Sequence, residues 1–98
     1  MAQIDWSKLA KDDLQDIYDY ISNDSERYAL QMVDRLVVRT EILMLHSKTG
    51  RVVPEFEDEN LRELIEGNYR IIYYLISEEK VSIVRVYHGA RLLKLESL

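Results

Sequence analysis

The first half of the chain carries hydrophobic residues at helical spacing. Between Lys8 and Ser22 they recur at steps of three and four residues, while four aspartates occupy the opposite side. The hydrophobic positions are Leu9, Ala10, Leu14, Ile17, Tyr18 and Ile21. Ser7 stands just before them and is a typical N-cap residue. The pattern predicts an amphipathic helix over Lys8–Ser22.

A second helix is predicted after the turn-forming residues 22–25. Hydrophobic residues resume helical spacing and continue to about His46; they are Ala29, Leu30, Val33, Leu36, Val37 and Leu43. A helix of roughly 22 residues is about 33 Å long at 1.5 Å per residue. We therefore expect an αα-hairpin whose second helix projects beyond the rest of the domain at its far end.

The periodicity changes after Thr49 and Gly50. Residues 51–60 contain Pro54 and a dense acidic run, which predicts a connecting loop. Three runs rich in Ile, Val and Tyr follow at hairpin spacing, over Leu61–Glu66, residues 69–76 and residues 81–87. Residues 2–6 alternate between apolar and polar and predict a short first strand. The expected fold is a single α+β domain over residues 1–98, ordered β-α-α-β-β-β, with an antiparallel meander that packs on the two helices and receives the first strand at an edge.

The hairpin turns predict the register of the meander. With Gly67 and Asn68 as the first turn, Glu66 faces Tyr69 and the strands pair outward in order. The further pairs are Leu64 with Ile71, Arg62 with Tyr73, Ile65 with Arg70 and Glu63 with Ile72. A four-residue second turn at residues 77–80 pairs Ile76 with Val81, Tyr74 with Ile83, Ile72 with Arg85 and Arg70 with Tyr87.

This register divides the sheet into two faces. The face expected to pack on the helices carries Leu64, Ile71, Tyr73, Leu75, Val84 and Val86. The other face is expected to be open and carries Glu63, Arg70, Tyr74, Arg85 and Tyr87 around a few aliphatic residues. Arginines beside tyrosines can clamp phosphates, stack on bases or pair with acids of a partner protein. Alternatively, Glu63 neutralises the arginines and this face has only a structural role.

Composition excludes several kinds of site. The 98 residues include no cysteine, so a disulfide framework, a zinc-finger site and a thiol nucleophile are all excluded. His46 and His88 lack ligand-like spacing, so neither a metal nor a cofactor is expected.

The longest apolar stretch, residues 71–76, is far short of the roughly 20 residues that cross a bilayer. We expect a cytoplasmic protein, and its net charge of −5 disfavours general electrostatic binding of nucleic acid.

Several short motifs, in order, resemble the ParE/RelE family of bacterial type II toxin–antitoxin toxins, also known as plasmid stabilisation proteins, over nearly the whole chain. They are Trp6, Asp13-Leu14, Tyr20-Ile21, Gly50-Arg51-Val52-Val53-Pro54-Glu55, Leu61-Arg62-Glu63-Leu64, Gly67-Asn68-Tyr69-Arg70-Ile71-Ile72-Tyr73 and Val86-Tyr87-His88-Gly89-Ala90-Arg91. The strand, helix, helix and three-strand order of that family agrees with the order predicted from periodicity.

The resemblance implies one of two activities. ParE-like members bind and poison DNA gyrase, whereas RelE- and YoeB-like members are mRNA endoribonucleases that usually act on the ribosome. Similarity to YoeB-like enzymes would make Glu55 the general base, His88 the general acid and Arg70 the phosphate-stabilising residue. Gly89 replaces the tyrosine that follows the histidine in those enzymes. Without that role, His88 is a capping or packing residue.

RelE-like catalysis fits the sequence less well. Arg91 looks like the second RelE arginine, but the paired RelE lysines correspond to about Leu61 and Glu63, and the C-terminal RelE tyrosine falls near Ser97. The acidic net charge also disfavours docking onto ribosomal RNA. We therefore favour a non-enzymatic gyrase-binding toxin over a ribonuclease, and a toxin with another target or without remaining activity is the third alternative.

The resemblance also implies partners. A cognate antitoxin encoded by a neighbouring gene is expected to cover apolar grooves and the open sheet face that carries the arginines and tyrosines. DNA gyrase is the expected target, with the ribosome and mRNA as the alternative. The residues expected to bind the target are Arg70, Tyr74, Arg85, Tyr87 and Arg91.

Overall fold

The computed structural model describes residues 1–89 as a five-stranded sheet with two helices on one face. The elements are β1 (Gln3–Trp6), α1 (Lys8–Ser22), α2 (Glu26–Thr40), β2 (Arg51–Val52), β3 (Leu61–Glu66), β4 (Tyr69–Ser77) and β5 (Lys80–His88). The strand order is β1-β5-β4-β3-β2, with β1 parallel to β5 and the other neighbours antiparallel. The α+β class and the edge position of β1 are confirmed.

Serine caps fix the start of each helix. The Ser7 hydroxyl accepts a hydrogen bond from the Ala10 amide at 3.0 Å, and Ser25 accepts one from Tyr28 at 3.1 Å. Each bond satisfies an amide that has no partner inside its helix. The predicted bounds of α1 are therefore confirmed.

The second helix is shorter than predicted. Helix α2 ends at Thr40, where the side-chain hydroxyl donates to the Val37 carbonyl, and a 3₁₀ turn over Glu41–Met44 follows. The tighter turn brings Leu43 fully into the core, and the Met44 carbonyl accepts from the Ala2 amide. Continuous apolar spacing hid this change of helix type, and the expected projection is wrong because the segment folds back against the first strand.

A short strand was missed in the predicted loop. Arg51 and Val52 pair with Glu63 and Arg62 and form β2 at the far edge of the sheet. Two residues are too few to show alternation, so the sequence carried no strand signal there. The rest of the segment, residues 53–60, passes over the sheet face opposite the helices.

The two hairpins differ in how well sequence predicted them. Every predicted β3–β4 pair is observed, and Gly67 has a φ of 57° in the turn. In the β4–β5 hairpin Ser77 pairs with Lys80, so the turn has two residues instead of four but keeps the predicted register. A register shift between Leu75 and Ser77 then moves the pairing by one residue, so Leu75 pairs with Val81 and Tyr73 with Ile83, and the two predicted inner pairs are wrong.

A register shift beside Ile72 corrects the β4–β5 ladder. It restores the predicted pairs of Ile72 with Arg85 and Arg70 with Tyr87. The extra residue, Val84, consequently packs on the face opposite the helices, contrary to prediction.

The central residues of the sheet are buried on both faces. The helix side forms the main core, whose largest members are Tyr73, Leu36, Leu43, Ile71 and Ile83. The second face was expected to be open, but residues 53–60 cover it: Val53 and Phe56 pack with Leu61, Ile72, Val84 and Tyr87. That expectation is wrong because a composition typical of a loop concealed two apolar anchors within it.

Candidate functional site

A cleft of about 650 Å³ lies where residues 53–60 meet the β3–β4 turn and the end of β5. Its lining includes Arg51, Pro54, Glu55, Ile65, Asn68, Tyr69, Arg70 and His88. The fold therefore brings the three proposed catalytic residues, Glu55, Arg70 and His88, to one place from a loop and two different strands.

Arg70 is the centre of this cleft and is almost completely buried, at 5% exposure. Its two Nη groups each donate to one oxygen of Glu55 at 2.8 Å, in a bidentate pair. Its Nε and one Nη also contact an oxygen of Glu63, at 2.7 and 2.6 Å. The hydrogen bond to Glu55 is the largest influence on the pKa of Arg70, which is raised above its usual value despite burial.

Glu63 joins this pair to the sheet edge. Its side chain is fully buried in β3, and its second oxygen accepts a hydrogen bond from the Nε of Arg51 on β2. Two arginines and two glutamates thus form a neutral chain, Arg51–Glu63–Arg70–Glu55, which we call the four-residue network. Such pairing is what allows a carboxylate to remain charged without contact with water.

The network limits what Arg70 can do chemically. Phosphate recognition by arginine uses two parallel N–H groups on one edge of the guanidinium. In Arg70 the distal edge holds Glu55 and the side edge holds Glu63. A phosphate would have to displace one of these carboxylates before it could bind bidentately.

His88 lies at the rim of the cleft, at the end of β5. It pairs in register with Tyr69, and the two rings meet edge to face with centroids 6.0 Å apart. The next residue, Gly89, donates its amide to the Asn68 carbonyl at 2.6 Å, which ties the strand end to the β3–β4 turn. This geometry agrees with the packing role considered for His88, which lines the same cleft as Arg70.

Arg85 does not join Arg70 in a shared cationic patch. Asp13 of α1 accepts from Arg85 at 2.8 and 2.9 Å and from the Val86 amide at 2.9 Å. The hydrogen bond to Asp13 is the main reason that the pKa of Arg85 is raised. The guanidinium carbon of Arg85 also lies 4.6 Å from the centroid of the Tyr87 ring.

The remaining predicted target-binding residues are dispersed. Tyr87 is buried at 3% exposure under residues 53–60, whereas Tyr74 is 36% exposed and lies opposite Leu61 and Ser82. Arg91 lies outside the described residues. Sequence reasoning did not assign a role to Asp13 or Arg51, whose partners lie 72 and 12 residues away along the chain.

Two further features are absent from residues 1–89. No group of three or more His, Asp or Glu residues is arranged to hold a metal ion within that part of the chain. None of its helices is long and apolar enough to span a membrane.

Comparisons with known proteins agree with one another. The family model described as the ParE toxin of type II toxin–antitoxin system, parDE, matches residues 4–93. Toxin RelE2 of Caulobacter vibrioides is 36% identical over 92 residues, which cover 94% of this chain and 100% of that protein. The solved structure described as the chromosomal ParDE TA system from P. aeruginosa has a TM-score of 0.74 at 24% identity, covering 90% of this chain and 96% of that one. At that identity the structural likeness concerns the fold.

Proposed function

Because this chain belongs to the ParE toxin family of type II toxin–antitoxin systems, within the ParE/RelE superfamily, we propose that it arrests growth by binding and poisoning DNA gyrase. Toxins of this class have a cognate antitoxin, which we expect a neighbouring gene to encode. Both proposed partners act in the cytoplasm, where we also expect this protein to act. Gyrase is the target that resemblance to ParE-like members implies, and binding it requires no proton transfer.

The observation that carries this proposal is the closed state of the four-residue network. A ribonuclease needs an arginine that can receive the scissile phosphate and a base that can reach a ribose hydroxyl. Here both oxygens of Glu55 accept hydrogen bonds from Arg70, and Glu63 holds the other edge of the same guanidinium. The arrangement is better suited to fixing residues 53–60 on the sheet than to holding a phosphate.

The ribonuclease alternative also has a specific observation in its favour. Glu55, Arg70 and His88 line one cleft, as a base, a phosphate ligand and an acid would have to do. Substrate binding would then have to open the Glu55–Arg70 pair, which makes this function conditional on a rearrangement. We rank it second for that reason.

Expression of the chain alone in growing cells distinguishes these functions. A gyrase poison is expected to induce the DNA-damage response and filamentation before protein synthesis falls. A ribonuclease is expected to deplete mRNA and stop translation within minutes, without early DNA damage. Coexpression with the small open reading frame beside this gene should restore growth in either case.

A further inference from the structure

Arg51 lines the cleft, and neither candidate function uses the exposed part of its side chain. It stands on the edge strand β2, and 62% of its side chain is exposed. Its Nε donates to the fully buried carboxylate of Glu63. In the described residues its two Nη groups make no hydrogen bond, so the distal edge of the guanidinium faces the cleft and solvent.

A hydrogen bond to a buried carboxylate prepares an arginine for binding. A free surface arginine loses rotamer freedom when it binds a partner, and this loss weakens binding. The contact with Glu63 already restricts Arg51, and Glu63 is itself fixed by Arg70. The exposed distal edge of the Arg51 guanidinium therefore has a defined position before any partner binds.

Apolar surface lies in the same cleft as the distal edge of Arg51. Pro54 is exposed on the loop, and Ile65 on β3 is 46% exposed, and both line the same cleft. The cleft thus combines one available cation with apolar side chains. That pairing complements a peptide segment carrying a carboxylate next to an aliphatic or aromatic residue.

We propose that Arg51 is the anchor for a carboxylate side chain of the antitoxin, which lays a short acidic and apolar segment into this cleft. The inference rests on the antitoxin partner proposed above and not on gyrase as the target. It assigns the antitoxin contact to a bidentate pair between the distal edge of Arg51 and one Asp or Glu.

A protein carboxylate fits this surface better than a nucleic acid does. Binding of a polynucleotide draws on several phosphate contacts made by a basic surface. In this cleft the charge of Arg70 is already balanced by Glu55 and Glu63, and the chain as a whole carries a net charge of −5. One arginine, held in place by Glu63 beside apolar side chains, can bind a single anionic group.

The test measures antitoxin affinity for the full-length chain by calorimetry. The variants are Arg51→Gln, which removes the fork, and Arg51→Lys, which keeps the charge but cannot bind bidentately. Arg27→Gln is the matched control, because Arg27 is an exposed arginine on α2 whose side chain makes no hydrogen bond within residues 1–89. We expect roughly 10- to 100-fold weaker binding for Arg51→Gln, an intermediate loss for Arg51→Lys and less than about a twofold change for Arg27→Gln.

A double-mutant cycle separates direct contact from a structural effect. Each acidic residue of the antitoxin is replaced by alanine and measured against wild type and Arg51→Gln. One acid should lose most of its effect in the Arg51→Gln background, because its partner is then already absent. A loss of affinity caused only by distortion of the cleft would produce no such specific coupling.

Three results would overturn the proposal. If Arg51→Gln binds the antitoxin within about twofold of wild type, Arg51 is not an anchor. If no acidic residue of the antitoxin is coupled to Arg51, its partner is not a carboxylate. Retained antitoxin binding with lost binding of a labelled 20-nucleotide RNA would assign Arg51 to nucleic acid instead. Gyrase inhibition is measured separately, so failure of the target proposal and failure of this one are distinguishable.

Discussion

Burial of Glu63 shows how a single residue holds the site together. Its charge is tolerated in the sheet only because Arg51 and Arg70 supply hydrogen bonds to both of its oxygens. The sequence identified Glu63 as a neutralising partner for arginine, but it gave no sign that the pair would be buried. That outcome depends on Val53 and Phe56 closing residues 53–60 over the sheet.

Glu63→Gln should therefore be strongly destabilising. The substitution keeps the shape of the side chain but leaves Arg70 buried with only Glu55 as its charged partner, which should cost about 3 kcal/mol in the free energy of unfolding. Urea denaturation measures this loss. Glu66→Gln is the control, since Glu66 pairs with the half-exposed Arg35 and should cost at most about 1 kcal/mol. Equal losses for the two variants would contradict the structural role of the network.

Tyr73 should make the fold sensitive to alkali. Burial is the main cause that raises the pKa of its hydroxyl above 10.0, and that oxygen accepts a hydrogen bond from the Gly50 amide at 2.8 Å. The unfolded chain releases this proton near pH 10 but the folded chain retains it, so stability falls as pH rises above about 10.

The measurement compares urea denaturation of wild type and Tyr73→Phe between pH 8 and 11. Tyr73→Phe should be less stable at pH 8, because the buried Gly50 amide loses its acceptor. Its stability should nevertheless fall less steeply above pH 10. Parallel pH curves for the two proteins would show that Tyr73 does not contribute to the alkaline loss.

At the scale of elements, the sequence predicted the strand pairing that a short turn specifies and missed pairings that depend on contacts elsewhere. Gly67 and Asn68 predicted the β3–β4 register completely, because a two-residue turn leaves no freedom in the pairing. The β4–β5 register was predicted only in the half of the hairpin away from the turn, because register shifts between Leu75 and Ser77 and between Ile72 and Tyr73 alter the pairing between them, and the length of the turn does not specify such shifts. The short strand β2 exists only through its pairing with β3.

The attachment of α1 to β5 is another element-scale feature that sequence did not reveal. Strand β1 pairs with β5 only as far as Ile83, and the Val86 amide beyond it takes the Asp13 carboxylate as its acceptor. Asp13 thus replaces a neighbouring strand and holds the helix to the sheet edge at the same time.

Asp13→Asn should loosen this junction. The amide keeps one acceptor oxygen but loses the charge that pairs with Arg85, so we expect a loss of about 1–3 kcal/mol in stability. Hydrogen exchange at the Val86 amide should also accelerate. Asp12→Asn, which affects only an exposed pair with Lys8, should change neither quantity appreciably. If the Val86 amide is as well protected from hydrogen exchange in Asp13→Asn as in wild type, Asp13 does not hold α1 to β5.

At the scale of the whole molecule, the fold was predictable but the molecular target was not. Periodicity and the ordered motifs indicated the α+β fold and the family, because those signals are distributed along the chain. Our proposal of gyrase binding over RNA cleavage rests on how one guanidinium is shared by Glu55 and Glu63, and that sharing appears only after folding.

The most direct test of the central claim is a supercoiling assay with purified DNA gyrase and the purified full chain, run with wild type, His88→Gln and Glu55→Gln. A non-enzymatic toxin should inhibit supercoiling or trap gyrase on cleaved DNA, and both folded variants should retain most of that inhibition because no proton is transferred. Activity against gyrase with no cleavage of mRNA is the predicted result. Absence of any effect on gyrase, together with mRNA cleavage that falls roughly 100- to 10,000-fold in either variant, would contradict the account and establish the ribonuclease.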